Sequence, residues 1–466
     1  MNTLIKNTCL VTVNEARDIN YEYAIYIEND RIADIGPTKE MEDKYTTNTR
    51  VIDGTDKIVF PGLINTHNHL FQVLLKGLGD DMVLKDWLEF MTFPSTPYLT
   101  EENCYFAALN GLMEGIHSGV TTTFDYMYPH AKGYDRTDEG IIKAMQKLGV
   151  RGFLGRGWMD TGVSAGVYPA MIENLDDIEK AVRDLHSKYH NIENGRIKIA
   201  LAPAAVWSNS GESLKLLKKL SDELDLIYSL HVSETPFDRE AVNNLHGKDE
   251  IDLLIELGLL NEKLIMVHCV CLTDYDISKI KEFGATVSHN PVSNMYLSSG
   301  VAPIPRLNRE GISVGLGLDG AASNNSNDMI ELLKMTSLLQ KVHHRNPTIM
   351  TADKVLEMAT IEGAKALMLD KEIGSLEIGK KADLFIFNPK KDLKAIPMHN
   401  PVSTLVYSSG NKNIETVMVD GDILMEDGVV TKIDEGFVAV NCQRLADELS
   451  AKAGTDKLKK RPWKRL

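Results

Sequence analysis

Cysteine is scarce in this sequence: Cys9, Cys104, Cys269, Cys271 and Cys442 are the five among 466 residues. So few thiols in so long a chain build no disulfide framework and fit a reducing compartment. Long apolar runs are missing too. None approaches the ~18 residues that a membrane helix needs. The opening MNTLIKNTCLVTV has neither the apolar core nor the small-residue cleavage site of a secretory signal, so none is expected. Positive charge runs short, with 51 Lys and Arg against 66 Asp and Glu, a net charge of −15. Such a field repels phosphate backbones and anionic lipid surfaces, which argues against nucleic-acid and membrane partners. What remains is ordinary for a globular protein, 43% hydrophobic and 25% charged. A soluble cytoplasmic protein is expected, and its size suggests an enzyme.

Residues 1–57 read as short strands divided by polar turns such as Asn29-Asp30 and Asp53-Gly54. From residue 58 the pattern changes. Eight β-branched apolar runs follow at 58–65, 120–127, 151–158, 197–204, 226–233, 264–270, 285–290 and 313–319, with amphipathic stretches between most of them. Near-continuously apolar strands alternating with helices indicate a parallel sheet covered by helices. Eight of them suggest a (β/α)8 barrel, and a doubly wound open sheet is the alternative. After about residue 372 strands return at 382–388, 402–409, 414–424 and 429–433. The expected plan is an α/β protein: a barrel over 58–372, a small β-sandwich from residues 1–57 and 373–435, and a helix with a basic tail over 436–466. That tail reads as solvated or as a subunit contact.

The strongest local signal is His67-Asn68-His69 at the end of the first barrel strand. Residues i and i+2 of a strand share a face, so the two imidazoles point together. Barrel enzymes keep their sites at this end of the strands. Taken alone, an H-x-H is more often a satisfied or exposed pair than a ligand pair. Further polar groups also fall at strand ends: His231 to Glu234 after strand five, His268 after strand six and Asp319 after strand eight. Any one of them alone could simply cap the following helix. Together, three histidines and an aspartate with water complete a catalytic metal site with an open position. A metal there lowers the pKa of bound water toward ~7.

The segments PGLINTHNHL (61–70), LHVSE (230–234), VHCV (267–270), SHNPVSNMYLSSGVAPIPRL (288–307), VGLGLDGAASNN (314–325) and 354–387 resemble the amidohydrolase superfamily, in its deaminase and s-triazine hydrolase branch. The resemblance spans essentially the whole chain. It implies a distorted barrel with a β-sandwich from both termini, and a homo-oligomer, dimer or higher. It also implies that His67, His69, His231 and Asp319 hold one divalent metal, Zn²⁺ or Fe²⁺. By the same resemblance Glu234 shuttles a proton to a ring nitrogen, His268 orients water or polarises substrate, and Asp319 doubles as the base. Binuclear relatives carry a lysine at the end of strand four. Here that strand ends Ala200-Leu201-Ala202-Pro203-Ala204, so a mononuclear site is expected.

The barrel core is similar to deaminases of S-adenosylhomocysteine and methylthioadenosine. Two positions depart from them: Thr96 stands where they carry a ribose-binding glutamate, and Ala204 where they carry a histidine. The C-terminal third is closer to triazine chlorohydrolases and melamine deaminases. The expected substrate is therefore a small flat amino-heterocycle, guanine-like or an s-triazine, with water as co-substrate. An adenosine-derivative deaminase and a triazine dechlorinase are the alternatives. A non-enzymatic scaffold is disfavoured because every position of the constellation is retained. Trp87, Arg156, Thr96 and Ser323 are candidate substrate contacts, with Trp158 and Trp207 as further candidate walls. A core role for the tryptophans and a salt bridge for Arg156 stand as alternatives. The G-x-G-x-x-G at 315–320 opens no βαβ unit, so it is not a dinucleotide fingerprint. Cys269 and Cys271 read as buried thiols, and His289 as a structural hydrogen-bonding group.

Overall fold

A computed structural model describes residues 2–45, 47–131 and 136–459. The basic end of the tail, 460–466, lies outside the described residues. Eight parallel strands close into a barrel: β6 (Leu63–Asn68), β7 (Val120–Met127), β8 (Arg151–Arg156), β9 (Ile197–Leu201), β10 (Tyr228–Val232), β11 (Leu264–His268), β12 (Thr286–His289) and β13 (Val314–Leu316). β6, β7, β8, β11, β12 and β13 are buried at every residue. Their apolar, β-branched runs have the barrel interior on one face and the surrounding helices on the other.

The remaining strands come from both ends of the chain: β1 (Asn2–Val11), β2 (Ile19–Glu28), β3 (Arg31–Pro37), β4 (Thr49–Asp53), β5 (Ile58–Pro61), β14 (Leu384–Phe387), β15 (Ile414–Val419), β16 (Asp422–Glu426) and β17 (Val429–Val430). They hydrogen-bond as one continuous mixed sheet of nine strands, in the order β17-β16-β15-β14-β5-β1-β2-β3 with β4 also on β1. The antiparallel β5–β14 pair joins the two termini.

Two runs fold differently from their sequence reading. The run 58–65 is two strands: Ile58–Pro61 belongs to the terminal sheet, and the barrel starts at Leu63. The break falls at Gly62, where a Cβ would meet the Thr121 side chain at 2.1 Å. The run 402–409 is not a strand but the helix Pro401–Tyr407. Asn400 caps it by accepting from the Ser403 N–H at 2.8 Å, and Pro401 takes the first helical position. Those start signals outweigh the β-branched composition. Among the described residues, no helix is long and apolar enough to cross a membrane.

Candidate metal and catalytic centre

The strand ends converge. His67 closes β6 with His69 just beyond it, His231 lies on β10, His268 ends β11, and Asp319 follows β13. Donor atoms of His67, His69 and His231 lie within 4.8 Å of one another, as do those of His67, His268 and Asp319. His67 Nε2 and His69 Nε2 are each 3.4 Å from Asp319 Oδ1. His268 Nε2 is 3.5 Å from Glu234 Oε2 and 3.9 Å from Asp319 Oδ2.

Outer contacts aim these rings. His69 Nδ1–H donates to the Tyr126 carbonyl at 2.7 Å, and His231 Nδ1–H to the Ala204 carbonyl. A carbonyl only accepts, so both protons sit on Nδ1 and both Nε2 lone pairs are left free to ligate, that of His69 toward Asp319. The Tyr126 hydroxyl in turn donates into the Pro203–Ala204 carbonyls and lies 3.1 Å from the Ser229 carbonyl. His268 Nδ1 bonds Asn294 Oδ1 at 2.9 Å. The Ser299 hydroxyl donates to Glu234 Oε1 at 2.8 Å.

Electrostatics separate the groups by role. Burial pushes His67 down to about 4 and His69 to about 3, and holds His231 well below its ordinary value. Burial opposes the charge on Asp319, yet His67, His268 and His69 hold it well below the usual carboxylate range. Burial drives Glu234 up to about 7, against the pull of His268. Neutral imidazoles and an ionised carboxylate are what a divalent metal requires. The buried ring nitrogens of His67 lack any hydrogen-bond partner among the described residues. An orphaned lone pair in so dry a place fits a metal ligand.

A cavity opens above these groups, and its lining is mostly apolar and aromatic with a few polar side chains. Leu84, Trp87, Leu88, Phe93, Met159 and Trp207 give it apolar and aromatic surface, and Gln72, Tyr128, Asp238 and Ser323 add polar groups. Trp87 and Ser323 both line this cavity. Trp87 Nε1 is held by the Ala322 carbonyl at 3.0 Å, and the Ser323 hydroxyl by the Gly320 carbonyl at 3.1 Å.

Thr96 and Arg156 do not line the cavity. Thr96 is buried, its hydroxyl turned to the Phe93 carbonyl at 3.3 Å. Arg156 is paired with Glu173 by two bonds of 3.0 and 2.5 Å and faces a separate groove. A guanidinium at the end of β8 reaches outward to satisfy a carboxylate, so the salt-bridge reading holds. Trp158 is core, bonded to the Ser213 hydroxyl at 2.8 Å. His289 is buried with neither ring nitrogen bonded among the described residues, contrary to the expected structural hydrogen bond.

Gln72, Tyr128 and Asp238 escaped the sequence reading. Gln72 Oε1 is buried without a hydrogen-bond partner among the described residues and lines the cavity. The available signal was its place three residues after His69, on the 3₁₀ turn Leu70–Leu75. The glycine run beside it packs the centre: a Cβ on Gly320 would stand 1.7 Å from Gln72 Oε1, and one on Gly317 2.8 Å from the His67 Cβ.

Residues 58–424 match the amidohydrolase family. The 5'-deoxyadenosine deaminase of Methanothermobacter thermautotrophicus is 38% identical over 92% of this chain and 95% of its own length. The 5-methylthioadenosine/S-adenosylhomocysteine deaminase of Thermoanaerobacter pseudethanolicus is 37% identical over 96% of this chain and 99% of its own. An adenosine deaminase from Xanthomonas campestris, solved with bound zinc, superposes with a TM-score of 0.89 at 26% identity, covering 96% of this chain and 98% of that one. The zinc complex of atrazine chlorohydrolase from Arthrobacter aurescens TC1 shares the fold at 24% identity, with a TM-score of 0.89 over 95% of this chain and 100% of that one.

Proposed function

The chain belongs to the amidohydrolase family, as a metal-dependent deaminase of an amino-substituted N-heterocycle, and we propose how its residues divide the reaction and which ring they prefer. His67, His69, His231 and Asp319 hold one divalent metal, zinc before iron, which when bound supplies a Lewis-acidic centre for activating water. Glu234, protonatable near neutrality, gives its proton to a ring nitrogen of the substrate. That proton makes the adjacent amine-bearing carbon electrophilic. Asp319, held ionised, accepts the proton of the attacking water and returns it to the departing amine, so that the new C–O bond replaces the C–N bond and ammonia leaves; His268 orients that water between Glu234 and Asp319. The observation that carries the reading is the Glu234–His268–Asp319 row beside three neutral imidazoles.

The cavity walls favour a bare aminated ring, guanine-like or an s-triazine. Leu84, Leu88 and Phe93 offer a sugar no hydrogen bond, the Asp238 carboxylate is already bonded to Trp207 Nε1 at 2.9 Å and to the Thr235 N–H at 2.6 Å, and Ala204 offers no hydrogen bond from its side chain. A ribose there would bury hydroxyls without partners, at ~1–3 kcal/mol each. The second reading is a 5'-modified adenosine, favoured by the names and full-length identity of the deaminase relatives. The test is ammonia and chloride release from guanine, adenine, melamine and atrazine against 5'-deoxyadenosine, methylthioadenosine and S-adenosylhomocysteine, with metal counted per chain. Nucleosides at about 10⁵ M⁻¹s⁻¹ with idle bare rings would decide for the second reading. No turnover of any amino-heterocycle by metal-loaded protein would overturn both. We also propose a homo-oligomer; the helix Met329–His344 exposes Leu338 and Val342, and sedimentation would give the stoichiometry.

A further inference from the structure

His231 and Glu234 are three residues apart, and in a regular strand such residues face opposite sides. Here both line the same cavity. The chain turns between them at Ser233, whose φ of 49° lies in the left-handed region that a serine seldom adopts. Such a conformation persists only where its surroundings hold it.

The holding group is Glu250, the first residue of the helix Glu250–Glu256. Its Oε2 accepts from the Ser233 N–H at 2.9 Å and from the Ser233 hydroxyl at 2.7 Å. The Ser233 carbonyl accepts from the Cys271 N–H at 2.8 Å. Ser233 and Glu250 are both fully buried. Among the described residues no cation bonds the carboxyl: Arg239, whose charge reaches it, is committed to Asp249 and Asp276. A buried carboxyl spent on one serine between a metal ligand and a proton donor is a poor choice for stability alone.

Resting on the deaminase reading above, we propose that Glu250 is a positioning residue for Glu234: by gripping Ser233 it fixes the left-handed turn that swings the Glu234 carboxyl to His268 and Asp319. Glu250 does not line the cavity. Its effect falls on the step that needs the proton.

The test compares Glu250→Gln, Glu250→Ala and Ser233→Ala in the metal-loaded full chain, reading kcat, KM, bound metal and the crystal structure. Glu250→Gln keeps an oxygen acceptor, so its kcat is expected within about threefold of wild type. Glu250→Ala should lose about 10–100-fold in kcat, the usual scale for a misplaced catalytic group, with KM and metal content retained. Its crystal structure should show Glu234 displaced from the 3.5 Å approach to His268. Ser233→Ala, which keeps the N–H bond, should fall between them. A folded Glu250→Ala with Glu234 in place and kcat within twofold of wild type overturns the proposal; so does a loss of metal in step with kcat. Should Glu250→Ala not fold, an unchanged kcat in Ser233→Ala overturns it. The crystallographic arm stands without turnover, so a wild-type protein idle on every substrate would sink the deaminase reading and leave the Glu234 placement still to be read.

Discussion

The imidazoles of His69 and His231 lie face to face, centroids 5.4 Å apart and planes within 13° of parallel, although they come from opposite sides of the barrel sequence. Tyr126 joins them. Its carbonyl takes the Nδ1 proton of His69, and its hydroxyl braces the Pro203–Ala204 carbonyls, one of which takes the Nδ1 proton of His231. Partners of this kind fix which nitrogen of a ligand faces the metal, and losing one costs about 10–100-fold in metal affinity. Tyr126→Phe keeps the ring and the carbonyl and removes only the hydroxyl. Zinc affinity by chelator competition should fall by about tenfold, at the low end of that range. An unchanged affinity would show that the hydroxyl braces the loop without governing the ligand.

Glu234→Gln should retain the metal and lose about 10²–10⁴-fold in turnover, because an amide cannot deliver the proton. His67→Ala should lose the metal as well, since His67 is within 3.4 Å of Asp319 at the centre of the donor set. The pair is read by elemental analysis beside initial rates. A Glu234→Gln enzyme within tenfold of wild type would contradict the assigned role.

Much of this centre was legible because barrel topology places consecutive strand ends at one mouth. His67, His69, His231, His268 and Asp319 each stand at or just past such an end. The groups that aim these side chains were not legible. Tyr126, Glu250 and Asn294 act through their own or a neighbour's backbone groups or through side-chain bonds, and no spacing in sequence announces those. Thr96 and Arg156 show the complementary limit. Their positions in the chain are near the site, but rotamer and partner turn Thr96 toward Phe93 and Arg156 toward Glu173. In the terminal sheet, the run 402–409 misled because composition speaks for strand while Asn400-Pro401 starts a helix.

Gln72 offers a direct test of ring recognition. Its Oε1 is buried, unbonded among the described residues and on the cavity wall. An aminated ring offers N–H donors, so Gln72→Leu should remove about 1–3 kcal/mol of binding, or roughly 5–150-fold in kcat/KM. If the contact persists from ground state to transition state, the change appears in KM with kcat nearly constant. An effect on kcat alone would place Gln72 at the reacting atoms instead.

Glu250 also predicts a pH dependence of stability. Burial pushes its carboxyl up to about 8, from an ordinary 4.5. Between those values the folded protein holds a proton that the unfolded chain has released. The contribution of this group to stability therefore falls as pH rises from about 4.5 to 8 and is level above that. Glu250→Gln carries no such titration. The Tm difference, variant minus wild type, should rise between pH 5 and pH 8. A constant difference would mean that Glu250 is already ionised at pH 5 in the fold.

A buried ionic cluster ties the barrel to the terminal sheet. Arg151, the first residue of β8, donates Nε to Asp383 Oδ2 at 2.8 Å and Nη2 to Asp383 Oδ1 at 3.0 Å, and also bonds Asp420. Asp383 precedes β14, Asp420 sits in the β15–β16 turn, and all three residues are buried. Asp383 Oδ1 accepts from the Asp420 N–H as well, at 2.9 Å, so one carboxylate ties the turn to the barrel. Burying the charges costs desolvation, and the bidentate geometry offsets it only while every partner is present. Arg151→Met preserves much of the side-chain volume and leaves two carboxylates facing each other; Lys381, 3.7 Å from Asp420, compensates for one of them in part. The expected loss is about 3–5 kcal/mol, the scale for breaking a buried pair from one side. As a control, Lys180→Ala removes a pair with Asp184 in which both side chains are largely exposed, and should leave the midpoint nearly unchanged. Denaturant unfolding of the two variants under one buffer reads the contrast. Equal midpoints would mean that apolar packing between the barrel and the terminal sheet, not the Arg151 cluster, holds the two parts together.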